Sequence, residues 1–191
     1  MNTQDVEKIK SFAQEHYSKS KGQHDIHHVE RVANNALLIT DILGKKDEID
    51  RNLLEAICYL HDILMIKKKR NFFLSLYNHI FERSINRKHL HTTIEKFGLP
   101  ENESKILIRA IINHPYSIPF CILNKNNDIY SKILQDADSI DYISDQRLKS
   151  FNKTRRFLSP VSSLYIYLIK ESIKYFLNFP ELAKKLNLFR E

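Results

Sequence analysis

Residues 24–32 read HDIHHVERV, which places three histidines, an aspartate and an arginine in nine positions. His24 and His28 are four apart and share one helix face. Val29, Val32, Ala36, Leu37 and Thr40 continue a helical apolar stripe downstream. A helix therefore carries the stretch and stops at Gly44, where a left-handed C-terminal residue is expected. His27 points away from the shared face and is expected to be exposed. Whether that face meets a metal depends on what folds against it.

The rest of the chain reads as further helices. Val6, Ile9 and Phe12 predict a short amphipathic helix, and Asp47 reads as the N-cap of one running through Leu53, Leu54, Ile57, Leu60 and Leu64. Residues 67–87 mix a basic run with aromatics in a weaker period, and read as an irregular connection with a short helix. A clearer helix spans 88–97, closed by Gly98 and Pro100, and another spans 104–114, halted by Pro115. Residues 128–143 predict the next, with Ile133, Leu134, Ala137 and Ile140 inward. Ser159-Pro160 opens a helix through Phe176, and a short one follows Pro180. Only three glycines occur in 191 residues, which leaves little material for hairpin turns or a phosphate-cradling loop. The expected fold is all-α, a compact multi-helix bundle forming one domain over residues 1–191.

Composition narrows the class. Hydrophobic residues at 42% and charged residues at 28% argue against disorder. Cys58 and Cys121 form no C-x-x-C pair and the N-terminus lacks an apolar run, so a reducing, cytoplasmic location is expected. The apolar stretch at 162–179 is interrupted by Lys170, Glu171 and Lys174, which suits a core helix and no membrane span. A net charge of +7 suits an anionic partner, whether nucleotide, nucleic acid or phospholipid surface.

The chemistry lies in a second His-Asp pair. His61 and Asp62 sit within YLHDIL, residues 59–64, on an apolar helix. Burying an imidazole beside a carboxylate costs several kcal/mol unless partners or a cation compensate. A single such histidine is ordinarily a satisfied core residue, and a cation becomes the better explanation when further donors converge. QDADSIDYI, residues 135–143, supplies Asp136, Asp138 and Asp141 among apolar neighbours. Two imidazoles and two carboxylates from three helices make a mixed nitrogen and oxygen shell suited to a divalent ion.

With these residues in view, the sequence resembles the HD-domain metal-dependent phosphohydrolases, whose pattern is H…HD…D. By that resemblance His28, His61 and Asp62 are metal ligands, with Asp136 or Asp138 as the distant one. D-A-D-S-I-D-Y is similar to the D-x-D-x-x-D-Y run of the deoxynucleoside triphosphate hydrolase branch, whose second aspartate holds the metal, which selects Asp138. His24, Asp25, His28, Arg31 and Val32 match the H-D-x-x-H-x-x-R-V opening of small bacterial HD hydrolases, and Ala110, Ile111 and His114 resemble their A-I-x-x-H segment. The likeness covers about residues 20–145, and helices in 146–191 would complete the fold.

The resemblance implies one divalent ion (manganese, iron, nickel, cobalt, magnesium or zinc) held between helices, and hydrolysis of a phosphoester or phosphoanhydride bond in a nucleotide or related phosphorylated metabolite. Asp62 would orient or deprotonate the attacking water and His24 or His114 would protonate the leaving group. Arg31, Lys67, Lys69 and Tyr142 would contact substrate. Branches with two intervening histidines bind a second metal, for which His91 and His114 occupy the right interval. Two other readings remain. A basic nucleic-acid-binding protein would use Phe72, Phe73 and Tyr77 among its cations, although stacking platforms need no buried His-Asp pairs. An HD fold kept as a nucleotide sensor would bind without turnover. Nothing in the sequence specifies an oligomeric state.

Overall fold

The structure is a computed structural model that describes residues 1–18, 25–65, 72–115, 128–144 and 146, with 167–168, 171–173 and 175–188 of the tail. Among these residues every regular element is a helix. α1 is Thr3–Ser18, α2 Ile26–Ile42, α3 Arg51–Leu60 and α4 Phe72–Ile94, followed by a 3-10 turn at Glu95–Phe97. α5 is Glu101–Asn113, α6 Ile129–Tyr142 and α7 Glu181–Lys185.

α2 packs most heavily against α6 and α3, because its buried stripe, Val29, Val32, Ala36 and Ile39, presents small and branched side chains to both neighbours. Ile57 and Leu60 of α3, Leu107 and Ile111 of α5, and Ile133 and Leu134 of α6 fill the same core. Fully burying such a side chain stabilises the fold by roughly 1.5–3 kcal/mol. The tail closes the bundle with Ile173, Leu177 and Leu182. Its expected start at Ser159-Pro160 lies outside the described residues, while 171–173 and 175–176 are helical as expected. No helix among the described residues is long and apolar enough to cross a membrane.

The ends of the helices follow local chemistry. Gly44 and Gly98 both adopt positive φ, as expected for glycines beyond a helix end. Asp128 caps α6 by accepting a hydrogen bond from Ser131 N at 2.9 Å. The α3 cap differs from expectation: Asp50, not Asp47, accepts from Leu53 N at 3.0 Å. Asp47 lies in the exposed turn before it, and Asp50 also pairs with the α-ammonium of Met1. α3 also stops early, at Leu60, so that His61, Asp62 and Leu64 lie in the following turn and not within the helix.

α4 is the largest departure. Residues 72–94, read as part of an irregular connection and most of a separate helix, form one helix of 23 residues. Its described inward row is Glu82, Asn86, Leu90 and Ile94, one residue per turn, and half of that row is polar. An apolar period cannot reveal a helix whose buried face carries a carboxylate and an amide.

Replacing Asp50 with alanine is expected to cost about 1 kcal/mol of stability as a lost N-cap. Asp47→Ala should change stability by less than about 0.5 kcal/mol. Urea denaturation of the two variants distinguishes the caps.

Candidate metal centre

Three helix ends and one helix face meet at the site. Asp25, the N-cap of α2, accepts from His28 N at 2.9 Å, so the aspartate of the opening motif fixes the helix start one turn from His28. His61 is the C-cap of α3, and His114 is the C-cap of α5. α6 supplies Asp138 and Asp141. Two helix C-termini, each carrying a partial negative charge, therefore point their capping histidines at one place, which favours a cation there.

The three imidazoles are oriented in the same way. His28 Nδ1 bonds Asp141 Oδ2 at 2.7 Å, His61 Nδ1 donates to Cys58 O at 2.7 Å, and His114 Nδ1 donates to Ile111 O at 2.7 Å. In the neutral ring this fixes the proton on Nδ1 and leaves the Nε2 lone pair for a ligand. The Nε2 atoms turn to the carboxylates: His28 Nε2 lies 3.3 Å from Asp62 Oδ2 and 3.4 Å from Asp138 Oδ1, and His61 Nε2 lies 3.3 Å from Asp62 Oδ2. The His61 ring is 5.2 Å from both the His28 and the His114 ring. His28, His61, Asp62 and His114 are buried, and Asp138 is partly exposed.

These residues fit a divalent ion. His61 Nε2 is buried without a hydrogen-bond partner, and ligand atoms of His28, His61 and Asp62, and of His61, His114 and Asp138, lie within 4.8 Å of one another. A buried polar atom without a partner calls for an unseen water or ion. Nitrogen and carboxylate oxygen together form the shell expected from the sequence.

Electrostatics set the protonation states. Burial alone would lower the His61 pKa, but Asp62 and Asp138 outweigh it and raise the pKa to about 9. His114 falls to about 4, through burial and then repulsion from His61. Both effects favour the neutral form of His114 in the metal-free protein. Burial works against ionisation of Asp141 too, yet the bonds from His28 and Arg31 bring it down to about 2.

The remaining expected residues divide. Arg31, expected at the substrate, sends Nε to Asp141 Oδ1 at 2.5 Å and Nη2 to Oδ2 at 3.3 Å, so its guanidinium holds the carboxylate that orients His28. Tyr142 ends α6, half-buried against the core. His27 is exposed, as expected, and contacts Glu30. Asp136, the alternative distant ligand, turns to the tail: its oxygens accept from Asn178 N at 2.9 Å, Asn178 Nδ2 at 2.8 Å and Phe179 N at 3.0 Å. His91 faces solvent, because the inward row of α4 passes through Leu90, and this removes it from the expected second-metal pair. His24, Lys67 and Lys69 lie outside the described residues.

Sequence reasoning missed Glu82. It is buried on α4 with Oε1 3.4 Å from His114 Nε2. Burial, then the charges of Asp62 and Asp138, push its carboxyl well above the usual range. The only sequence signal was its four-residue spacing from Asn86, Leu90 and Ile94.

A helical bundle with a buried histidine and aspartate centre at converging helix ends defines an all-α protein with a cluster able to hold a metal ion. The HD domain family matches residues 25–143, and the chain belongs to that family. The uncharacterized protein YpgQ of Bacillus subtilis (strain 168) is 25% identical over 138 residues, which cover 72% of this chain but only 60% of that relative. The crystal structure of Bacillus subtilis YpgQ in complex with ADP superimposes with a TM-score of 0.61 and 19% identity, covering 94% of this chain and 88% of that one, a likeness of fold.

Replacing Asp141 with asparagine removes the carboxylate behind His28. Affinity for a divalent cation should fall by roughly 10–100-fold, the usual cost of losing such a supporting partner. Competition with a fluorescent chelator measures the change.

Proposed function

We propose that the protein is a metal-dependent phosphohydrolase that cleaves a phosphoester or phosphoanhydride bond of a nucleotide or related phosphorylated metabolite. One observation carries this reading: the three imidazoles are each fastened through Nδ1, with Nε2 turned toward buried carboxylates. Family membership supports a metal-dependent hydrolase, and the ADP named with the YpgQ structure favours a nucleotide.

His28, His61, Asp62 and Asp138 would hold the ion. When bound, a divalent cation supplies Lewis acidity that polarises a phosphoryl oxygen and makes water a nucleophile near neutral pH. The chain's own residues do the rest. Asp62 has two oxygens, one to serve as ligand and one to accept a proton from the attacking water. The partly exposed Asp138 marks the open side of the site, where substrate enters. Arg31 holds Asp141, which keeps the His28 ring in place while the site changes charge. His24, four residues before His28 in the sequence, takes the role of proton donor, with Lys67, Lys69 and Tyr142 as phosphate contacts.

A screen of nucleoside mono-, di- and triphosphates and other phosphorylated metabolites with added divalent cations tests the reading. Phosphate or pyrophosphate release should require the cation, stop on chelation and be lost in Asp62→Ala. Nucleic-acid binding that is steeply salt-dependent and indifferent to chelation, without turnover, would replace it.

Cation affinity should also depend on pH. His61 is protonated in the metal-free protein up to about pH 9, and the ion must displace that proton. Affinity should therefore rise as pH increases from about 6 towards 9, with proton release on binding. Calorimetry in buffers of different ionisation enthalpy reads both effects.

A further inference from the structure

We infer that Asn178, which lies beyond the residues matching the HD domain family, is a positioning residue for His114. The inference rests on the proposed reading of the metal centre. Asn178 sits in the bend between the helical residues 175–176 and α7, with Leu177 and Leu182 buried in the core on either side. A bend leaves backbone amides without helical partners. Buried Asp136 of α6 takes two of them: Oδ1 accepts from Asn178 N at 2.9 Å and Oδ2 from Phe179 N at 3.0 Å. Backbone bonds and apolar anchors thus dock the tail.

The Asn178 side chain reaches further. Its Nδ2 donates to Asp136 Oδ1 at 2.8 Å and to Gln135 Oε1 at 3.0 Å, and lies 3.4 Å from Lys132 O. Gln135 is 1% exposed, and its Nε2 donates to the carbonyl of Asn113 at 3.1 Å. Asn113 is the last residue of α5, so its carbonyl is one of the four that no helical amide reaches, and His114 follows as the C-cap.

The side-chain amide of Gln135 can cap that carbonyl only with its nitrogen, although its two ends are nearly equal in shape. Asn178 decides between them, because a donor against Oε1 holds the oxygen there and turns Nε2 to Asn113. In the flipped amide two acceptors would meet in a buried place. The cap on Asn113 steadies the last turn of α5 and with it Ile111 O, which accepts from His114 Nδ1 at 2.7 Å. That bond keeps the ring in the tautomer free histidine disfavours, with the proton on Nδ1 and the Nε2 lone pair facing the centre.

Long-range ¹H–¹⁵N correlation spectra of the full-length, metal-free protein read the tautomer of each ring, with His114→Gln to assign the signal. The native protein should show His114 in the Nδ1-protonated pattern. Its Gln135 side-chain amide protons should exchange with solvent far more slowly than those of exposed Gln4. Asn178→Ala keeps both backbone bonds to Asp136, yet should lose that protection and shift His114 toward the Nε2-protonated pattern. Gln135→Met should shift His114 in the same way. Tyr175→Ser, on the exposed side of the tail, should move neither signal.

His114 signals unmoved in folded Asn178→Ala overturn the inference. So do unprotected Gln135 amide protons in the native protein, a result that needs no variant to fold. Zn²⁺ titrated into the native protein should move the Nε2 signals of His28 and His61. A spectrum that Zn²⁺ leaves unchanged would sink the metal reading, while the tautomer result stands by itself.

Discussion

The bond from each imidazole Nδ1 to a fixed acceptor is the interaction on which the rest of the site depends. For His61 and His114 the acceptor is the carbonyl three residues earlier, Cys58 O and Ile111 O. The last carbonyls of a helix have no amide partner within it. Each ring therefore satisfies a helix end and aims its Nε2 in one arrangement. Ending α3 and α5 and building the site are a single structural event. His61 and His114 are thereby held by the helix ends they cap, with Asp62 in the turn that follows α3.

His28 sits at the start of its helix, where no spare carbonyl is available, and Asp141 takes that part from across the interface between α2 and α6. Arg31, one turn beyond His28, completes the arrangement by pairing with the same carboxylate. A buried carboxylate that accepts from both an imidazole and a guanidinium is stabilised in its ionised form. The packing of α2 on α6 and the orientation of His28 thus depend on one another.

The charge of the chain and the charge of the site have opposite signs. A surplus of +7 over the whole sequence contrasts with a cluster that holds Asp62 and Asp138, where two helix C-termini also end. The local field attracts a cation, while the global one concentrates anionic ligands around it. These two properties act at different ranges and do not compete.

Most helices, and the convergence of His28, His61, Asp62 and Asp138, were legible in the sequence. Apolar periodicity marked α1, α2, α3, α5 and α6, and the paired motifs have few other uses. What the sequence could not supply were choices among chemically equal residues. Asp50 caps α3 where Asp47 was expected, and Asp136 secures Asn178 and Phe179 while its neighbour Asp138 faces His28. Glu82 was hidden because α4 buries polar groups, which erases the period by which a helix is recognised. The sequence by itself determined the helical class and the set of residues able to bind a metal, since both follow from residue type and spacing. Only tertiary structure decided which of them share a site, because that depends on helix ends and faces brought together from distant parts of the chain.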